Sequence, residues 1–215
     1  MSKSVFGFIP SLAIGLLAFA SNSQASVITD SFATWAAGVS SFSNTTDFGP
    51  GSEFTTATTI ALAGGGNFST SAPVQVRNVG SSWSTWSGGY TGQVLWSQGL
   101  DALTLFPSGI SALGFEVEPD SFSTFLVTLT LSTGQTISDP VNGDAGASFF
   151  GYYGGGVSNL TISVAGNDFA FGNIVSSTAA PVPLPAALPL FAGAVAGLGT
   201  FGRWRKRRSG AAIAA

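Results

Sequence analysis

The chain has 215 residues, of which 45% are hydrophobic and only 8% charged, against roughly 25% charged in an ordinary soluble domain. It contains no Cys and no His, which excludes disulfides, thiol or imidazole nucleophile–base pairs, and zinc sites of the usual Cys/His kind. All ten acids fall between Asp30 and Asp168 with Arg77 as the only base among them, so this stretch carries −9 and repels nucleic acid, whose phosphates need a basic footprint.

Lys3 and the amino terminus give a short positive start, and an apolar run follows from Val5 to Ala20, interrupted by Pro10. Ser23-Gln24-Ala25 then places small residues at −3 and −1 before Ser26. This pattern predicts a signal peptide over 1–25, exported by the Sec machinery and cut by signal peptidase between Ala25 and Ser26. The apolar run is shorter than the roughly 20 residues that span a bilayer as a helix.

Residues 26–180 read as one β-rich domain of short alternating runs broken by Gly, Asn, Asp, Pro and Ser. Thr55–Leu62, Val74–Val79 and Gln93–Phe106 are the first candidate strands. Leu113, Phe115 and Val117 form an inward face, with Glu116 and Glu118 outward. From Phe125 to Leu131 the residues Phe125, Val127, Leu129 and Leu131 share one face and Thr128 and Thr130 the other. Ser132-Thr133-Gly134 turns this run into Gln135-Thr136-Ile137. Leu160–Val164 alternates equally cleanly, and Gly166-Asn167-Asp168 leads into Phe169-Ala170-Phe171, a pair that reads as a hairpin. No run outside the termini sustains helical periodicity. The expectation is an all-β fold, an antiparallel sandwich or barrel, large enough to hold a core without covalent links.

Candidate chemistry rests on two groups. Glu116, Glu118 and Asp120 are acids at spacing two, which share a face on a strand until Pro119 ends it. They could act as a carboxylate pair or supply oxygen ligands to Ca²⁺, and a solvated outer face is the favoured reading. Asp139 and Asp144 fall in a loop where acids mostly stabilise turns. Trp83, Trp86, Tyr90 and Trp96 lie within 14 residues, and Tyr152 and Tyr153 sit in a loop-like Gly-rich stretch. Such rings suit stacking on sugars, and they suit burial with the polar tip satisfied, which is the favoured reading because Trp is mostly buried. The sequence marks no catalytic residue and no cofactor, and the expectation is a protein that is not an enzyme.

The C-terminal end is tripartite. Val182-Pro183-Leu184-Pro185-Ala186 opens it, an uncharged stretch runs to Phe201, and Arg203, Arg205, Lys206, Arg207 and Arg208 close it. Val182 to Phe201 is long enough for a transmembrane helix, and the basic cluster holds the tail in the cytoplasm. This tail resembles the sorting signal of PEP-CTERM proteins, in the variant with a Val-Pro-Leu-Pro-Ala motif, over 181–208; residues 209–215 carry no readable signal. The resemblance implies transient anchoring in the inner membrane of a Gram-negative bacterium, cleavage near Val182–Ala186 by an exosortase, and delivery to the cell surface or an extracellular matrix. Ala112–Val117, Phe149-Phe150-Gly151 and Phe169–Ile174 are similar to the bodies of many such proteins, which implies a jelly-roll, carbohydrate-binding-type β-sandwich. Those bodies usually carry an Asp where this chain has Gly172. The combined expectation is a non-catalytic surface or matrix protein associated with extracellular polysaccharide. A secreted hydrolase using Glu116 and Glu118 is one alternative, and a purely structural or adhesive component is another.

Overall fold

The computed structural model describes residues 25–48 and 53–179. The expected signal peptide, apart from Ala25, and the whole sorting tail lie outside the described residues. Among those described, no helix is long and apolar enough to cross a membrane.

The body is all-β and antiparallel. The first strands are β1 (Val27–Thr29), β2 (Ser43–Thr45), β3 (Thr56–Ala61), β4 (Asn67–Asn78) and β5 (Gln93–Trp96). They are followed by β6 (Ala102–Ser108), β7 (Ala112–Pro119), β8 (Thr124–Leu131) and β9 (Thr136–Asn142). The last three are β10 (Ser148–Tyr153), β11 (Leu160–Val164) and β12 (Phe169–Ser177). Their order across the sheet is β1-β10-β7-β12-β5-β4-β6-β11-β8-β9, with β2 added to β12 and β3 to β4. The sheet rolls up until its two ends nearly meet. Gln135 Nε2 donates to the Ser26 carbonyl at 2.8 Å and Ser26 Oγ to Thr133 Oγ1 at 3.3 Å, so side chains of the β8–β9 turn tie the start of β1 across the open seam. A rolled sheet leaves few unpaired strand edges to solvent.

The alternating runs behave as their sequence dictates. In β8, Val127, Leu129 and Leu131 are buried, and in β11 Leu160, Ile162 and Val164 are buried. These strands pair in register, Leu129 with Ile162 and Leu131 with Leu160. Their inward side chains join Phe68, Phe115, Phe150 and Phe171 in one core cluster. The Ser132–Gly134 turn closes the β8–β9 hairpin, and Gly134 takes the left-handed φ of 87° that such a turn demands.

Four expectations are corrected. Leu160–Val164 and Phe169–Phe171 do not form a hairpin: β11 pairs with β6 and β8, while β12 pairs with β5 and β7. The Gly166 turn therefore carries the chain from one part of the roll to another, a distinction that local alternation cannot make. Gln93–Phe106 is two strands, because Ser97 Oγ donates to the Leu100 carbonyl and folds the chain over between them. Tyr152 and Tyr153 lie in β10 rather than in a loop, and Asp139 lies within β9.

The fold also contains a helix that the sequence pattern does not signal, α1 (Phe32–Gly38). It is too short to show a helical period. Ser31 caps it by accepting from the Thr34 N–H, satisfying one of the free amides of the first turn. Its anchor is Trp35, fully buried, whose Nε1–H donates to the Tyr152 carbonyl at 2.8 Å. The helix is thereby fixed on the outside of β10 and β7, where Trp35 packs with Val39, Ala112 and Val175.

This anchoring is testable. Trp35→Phe removes both ring volume and the bond to Tyr152, and should lower unfolding free energy by about 2–4 kcal/mol. Urea titration followed by far-UV circular dichroism measures this, and an unchanged midpoint would show that α1 is not held through Trp35.

Candidate functional site

The distinctive chemistry of the body lies on the outer face of β7 and β12, and follows from how those strands are covered. β12 is buried along nearly its whole length. Phe169, Phe171 and Ile174 belong to the inner core, whereas Ala170 and Val175 belong to two separate outer clusters. The change of parity between Phe171 and Ile174 marks a bulge, where the register with β7 shifts between Gly172 and Val175. Asn173 sits in it at φ 46°, a left-handed conformation that Asn tolerates better than most residues. Before the bulge β12 pairs with β5, and after it with β2. Gly172 is required by the close approach of β5, since a Cβ there would lie 2.7 Å from Val94 Cγ1. The resemblance puts an Asp at this position; the tight β5 contact leaves no room for one.

Two caps cover this outer face. At one end lies α1, with Trp35, Phe149 and Tyr153. At the other, the loop 79–92 between β4 and β5 folds back, placing Trp83 and Trp86 against Val94 and Ala170. Trp83 and Trp86 are each only 6% exposed. Trp86 Nε1–H donates to Glu116 Oε2 at 2.6 Å, and Trp96 Nε1–H to Asp168 Oδ2 at 2.7 Å. Tyr90, half-buried 5.9 Å from the Trp86 ring, donates to the Gln93 carbonyl at 2.7 Å, and burial pushes its phenol up to about 12. The Arg77 guanidinium lies 4.5 Å from the centre of the Trp96 ring, a cation–π distance. The aromatic cluster read from the sequence is thus one spatial unit, but Trp83 and Trp86 turn their faces inward and their polar edges to acids. Neither presents an open stacking platform.

The acids are placed differently from expectation as well. Glu116 and Glu118 do share a face, but it is solvated only in part: Glu116 is half-buried, and Asp120, just past the end of β7, is exposed. Glu118 is fully buried beneath the 79–92 loop. Its Oε1 accepts from Thr85 Oγ1 at 2.6 Å, while Oε2 has no hydrogen-bond partner. Removal from water pushes its carboxyl up to about 7, a rise that the Thr85 hydroxyl, the Ala145 amide and the Trp83 indole only partly oppose. Burial and the nearby Asp168 charge also raise Asp120, against Arg77. Among the described residues, no group of three acids is disposed to hold a metal ion.

Between the two caps the outer face stays open. Glu116 forms part of this opening together with Phe32, Phe42 and Phe149 on the α1 side and Asn44 and Asn173 on the strand side, around about 330 Å³. Neither Phe32, Phe42 nor Asn44 stood out in the sequence. Only pairing of β2 with the far half of β12 brings Asn44 to Asn173. Glu118 does not line this groove. The two glutamates therefore share no open cleft, an arrangement that a carboxylate-pair hydrolase would require. Compared with protein-family models and with curated protein sequences, the chain matches none.

The buried glutamate gives a pH signature. Between about pH 4.5 and 7 the unfolded chain releases a proton from Glu118 that the folded chain keeps. Stability should therefore be full at the acid end of this window, fall as pH rises through it, and level off above. Glu118→Gln cannot titrate, so its stability relative to the parent should rise by on the order of 2–3 kcal/mol between pH 5 and 8. Parallel urea titrations at the two pH values check this.

Proposed function

We propose that the protein is an exported, non-catalytic component of the bacterial cell surface or extracellular matrix, associated with polysaccharide. The observation that carries this reading is the pairing of Lys3, the Val5–Ala20 apolar run and Ser23-Gln24-Ala25 at one end with the Val182–Ala186 motif, an apolar stretch and the Arg203–Arg208 cluster at the other. On this reading the Sec machinery and signal peptidase release residues 1–25, the C-terminal helix holds the chain in the inner membrane, and an exosortase of the type serving PEP-CTERM proteins cuts near the motif. The rolled antiparallel sheet is consistent with a jelly-roll-like sandwich of 26–180.

The body supports a binding or structural role over a hydrolytic one. Glu118 is sealed from solvent, and Glu116 is held by the Trp86 indole. The −9 body has Arg77 as its only cation, and that side chain is engaged with Phe54 and Trp96. A hydrolase would need groups free to stabilise developing charge.

Mass spectrometry of protein recovered from the cell surface tests the sorting reading. The expected product begins at Ser26 and lacks Arg203–Arg208. Recovery of mature protein with that basic cluster intact would leave a plain membrane anchor instead.

A further inference from the structure

We infer that the groove between α1 and the 79–92 loop is a binding subsite for a neutral sugar ring. This deepens the polysaccharide reading above and rests on it for the class of ligand, while the place and the contacts come from the groove itself.

The opening has the mixed lining such a ligand needs. Its size, about 330 Å³, falls at the lower end of small-molecule pockets. One wall is aromatic. Phe32 and Phe42 are each 44% exposed, and Phe32 meets Phe42 and Phe149 edge to face at 5.7 and 5.5 Å. Trp35 beneath them fixes this array, 5.5 Å from the Phe42 ring. Exposed rings held rigid from below offer apolar faces for the C–H surface of a pyranose at little entropic cost.

The opposite wall is polar and already oriented. Asn44 Nδ2 donates to Asn173 Oδ1 at 3.0 Å. That bond leaves the Asn44 carbonyl as an acceptor and the Asn173 amide nitrogen as a donor group, matching a hydroxyl that donates and accepts. Glu116 spends Oε2 on Trp86, which leaves Oε1 to accept from a second hydroxyl. The bulge, where Asn173 takes its left-handed φ, sets this side chain beside Asn44.

The charge selects among ligands. A carboxylate in the groove and a −9 body disfavour uronates and other anionic sugars. An organic cation would be drawn to Glu116 and the Phe rings, but it has no use for the amide pair. A neutral sugar uses all three groups.

Isothermal titration of the purified full chain tests the inference with four probes. They are neutral hexasaccharides of β-1,4-, β-1,3- and α-1,4-linked glucose, and choline as the cationic rival. At least one hexasaccharide should bind. Phe42→Ala should weaken it by about 2- to 12-fold, the range an aromatic contact carries. Glu116→Gln should weaken it about tenfold, as loss of a charge-assisted hydrogen bond does. Asn44→Ala, at an exposed side chain, should weaken binding without lowering the thermal midpoint. Phe122→Ala, 65% exposed beyond the Trp83 cap, should change nothing. Binding of none of the hexasaccharides, binding indifferent to Phe42, Asn44 and Glu116, or displacement of the sugar by choline would overturn the subsite. Each of those results leaves the export reading standing, since that depends on the masses of the mature ends alone.

Discussion

The architecture depends on burying β7 and β12 on both faces. Most strands of a rolled antiparallel sheet hide one face and wet the other. Here the pair turns Phe115, Val117, Phe169 and Phe171 into the inner core and is covered outside by α1 and the 79–92 loop. Under the 79–92 loop and against β5 the outer side of β12 holds small residues, Ala170 and Gly172, because the cover comes so close there. Everything distinctive about the body follows from this second layer, including the buried acid, the inward tryptophans and the groove between the caps.

The balance of magnitudes explains why a carboxyl is tolerated there. A fully buried Trp removes about 200 Å² from water, on the order of 5 kcal/mol at ~25 cal/mol per Å². Compaction of the unfolded chain reduces that figure by some tenths of its value. Trp83 and Trp86 lie almost wholly inside the cap that covers Glu118. Keeping Glu118 protonated costs about 2–3 kcal/mol near neutrality, and one orphaned carboxyl oxygen adds about 1–3 kcal/mol. Burial of the aromatics outweighs both. Glu116 and Asp168 are only partly buried, and each accepts from an indole N–H at 2.6–2.7 Å.

The groove exists because the two caps stop short of each other, and the bulge in β12 decides what its floor contains. Shifting register between Gly172 and Val175 returns Ile174 to the core and gives the far half of the strand to β2. Without that shift Asn44 and Asn173 would not meet. The Phe rings on the other wall depend on Trp35 in the same way, since its bond to Tyr152 fixes the helix that carries Phe32. An aromatic wall and an amide pair thus arise from segments about 130 positions apart in the chain.

Alternation alone determined the all-β character, the faces of β8 and β11 and the β8–β9 turn, because a period of two and a Gly turn are local properties. The terminal patterns on which the proposed export and sorting rest are likewise read from the chain by itself, since they are short linear stretches. What the sequence could not reveal was the second layer. Glu116 and Glu118 alternate with apolar residues just as surface acids do, and nothing local says that a loop thirty positions earlier will fold over them. A short helix such as α1 shows no period, and its Trp35 looks like any other aromatic. The Leu160–Val164 and Phe169–Phe171 runs sit a turn apart and still part company, because pairing partners are chosen by the whole roll. Long-range strand order decided which outer faces were covered, and coverage decided which polar residues became buried, aimed or left open.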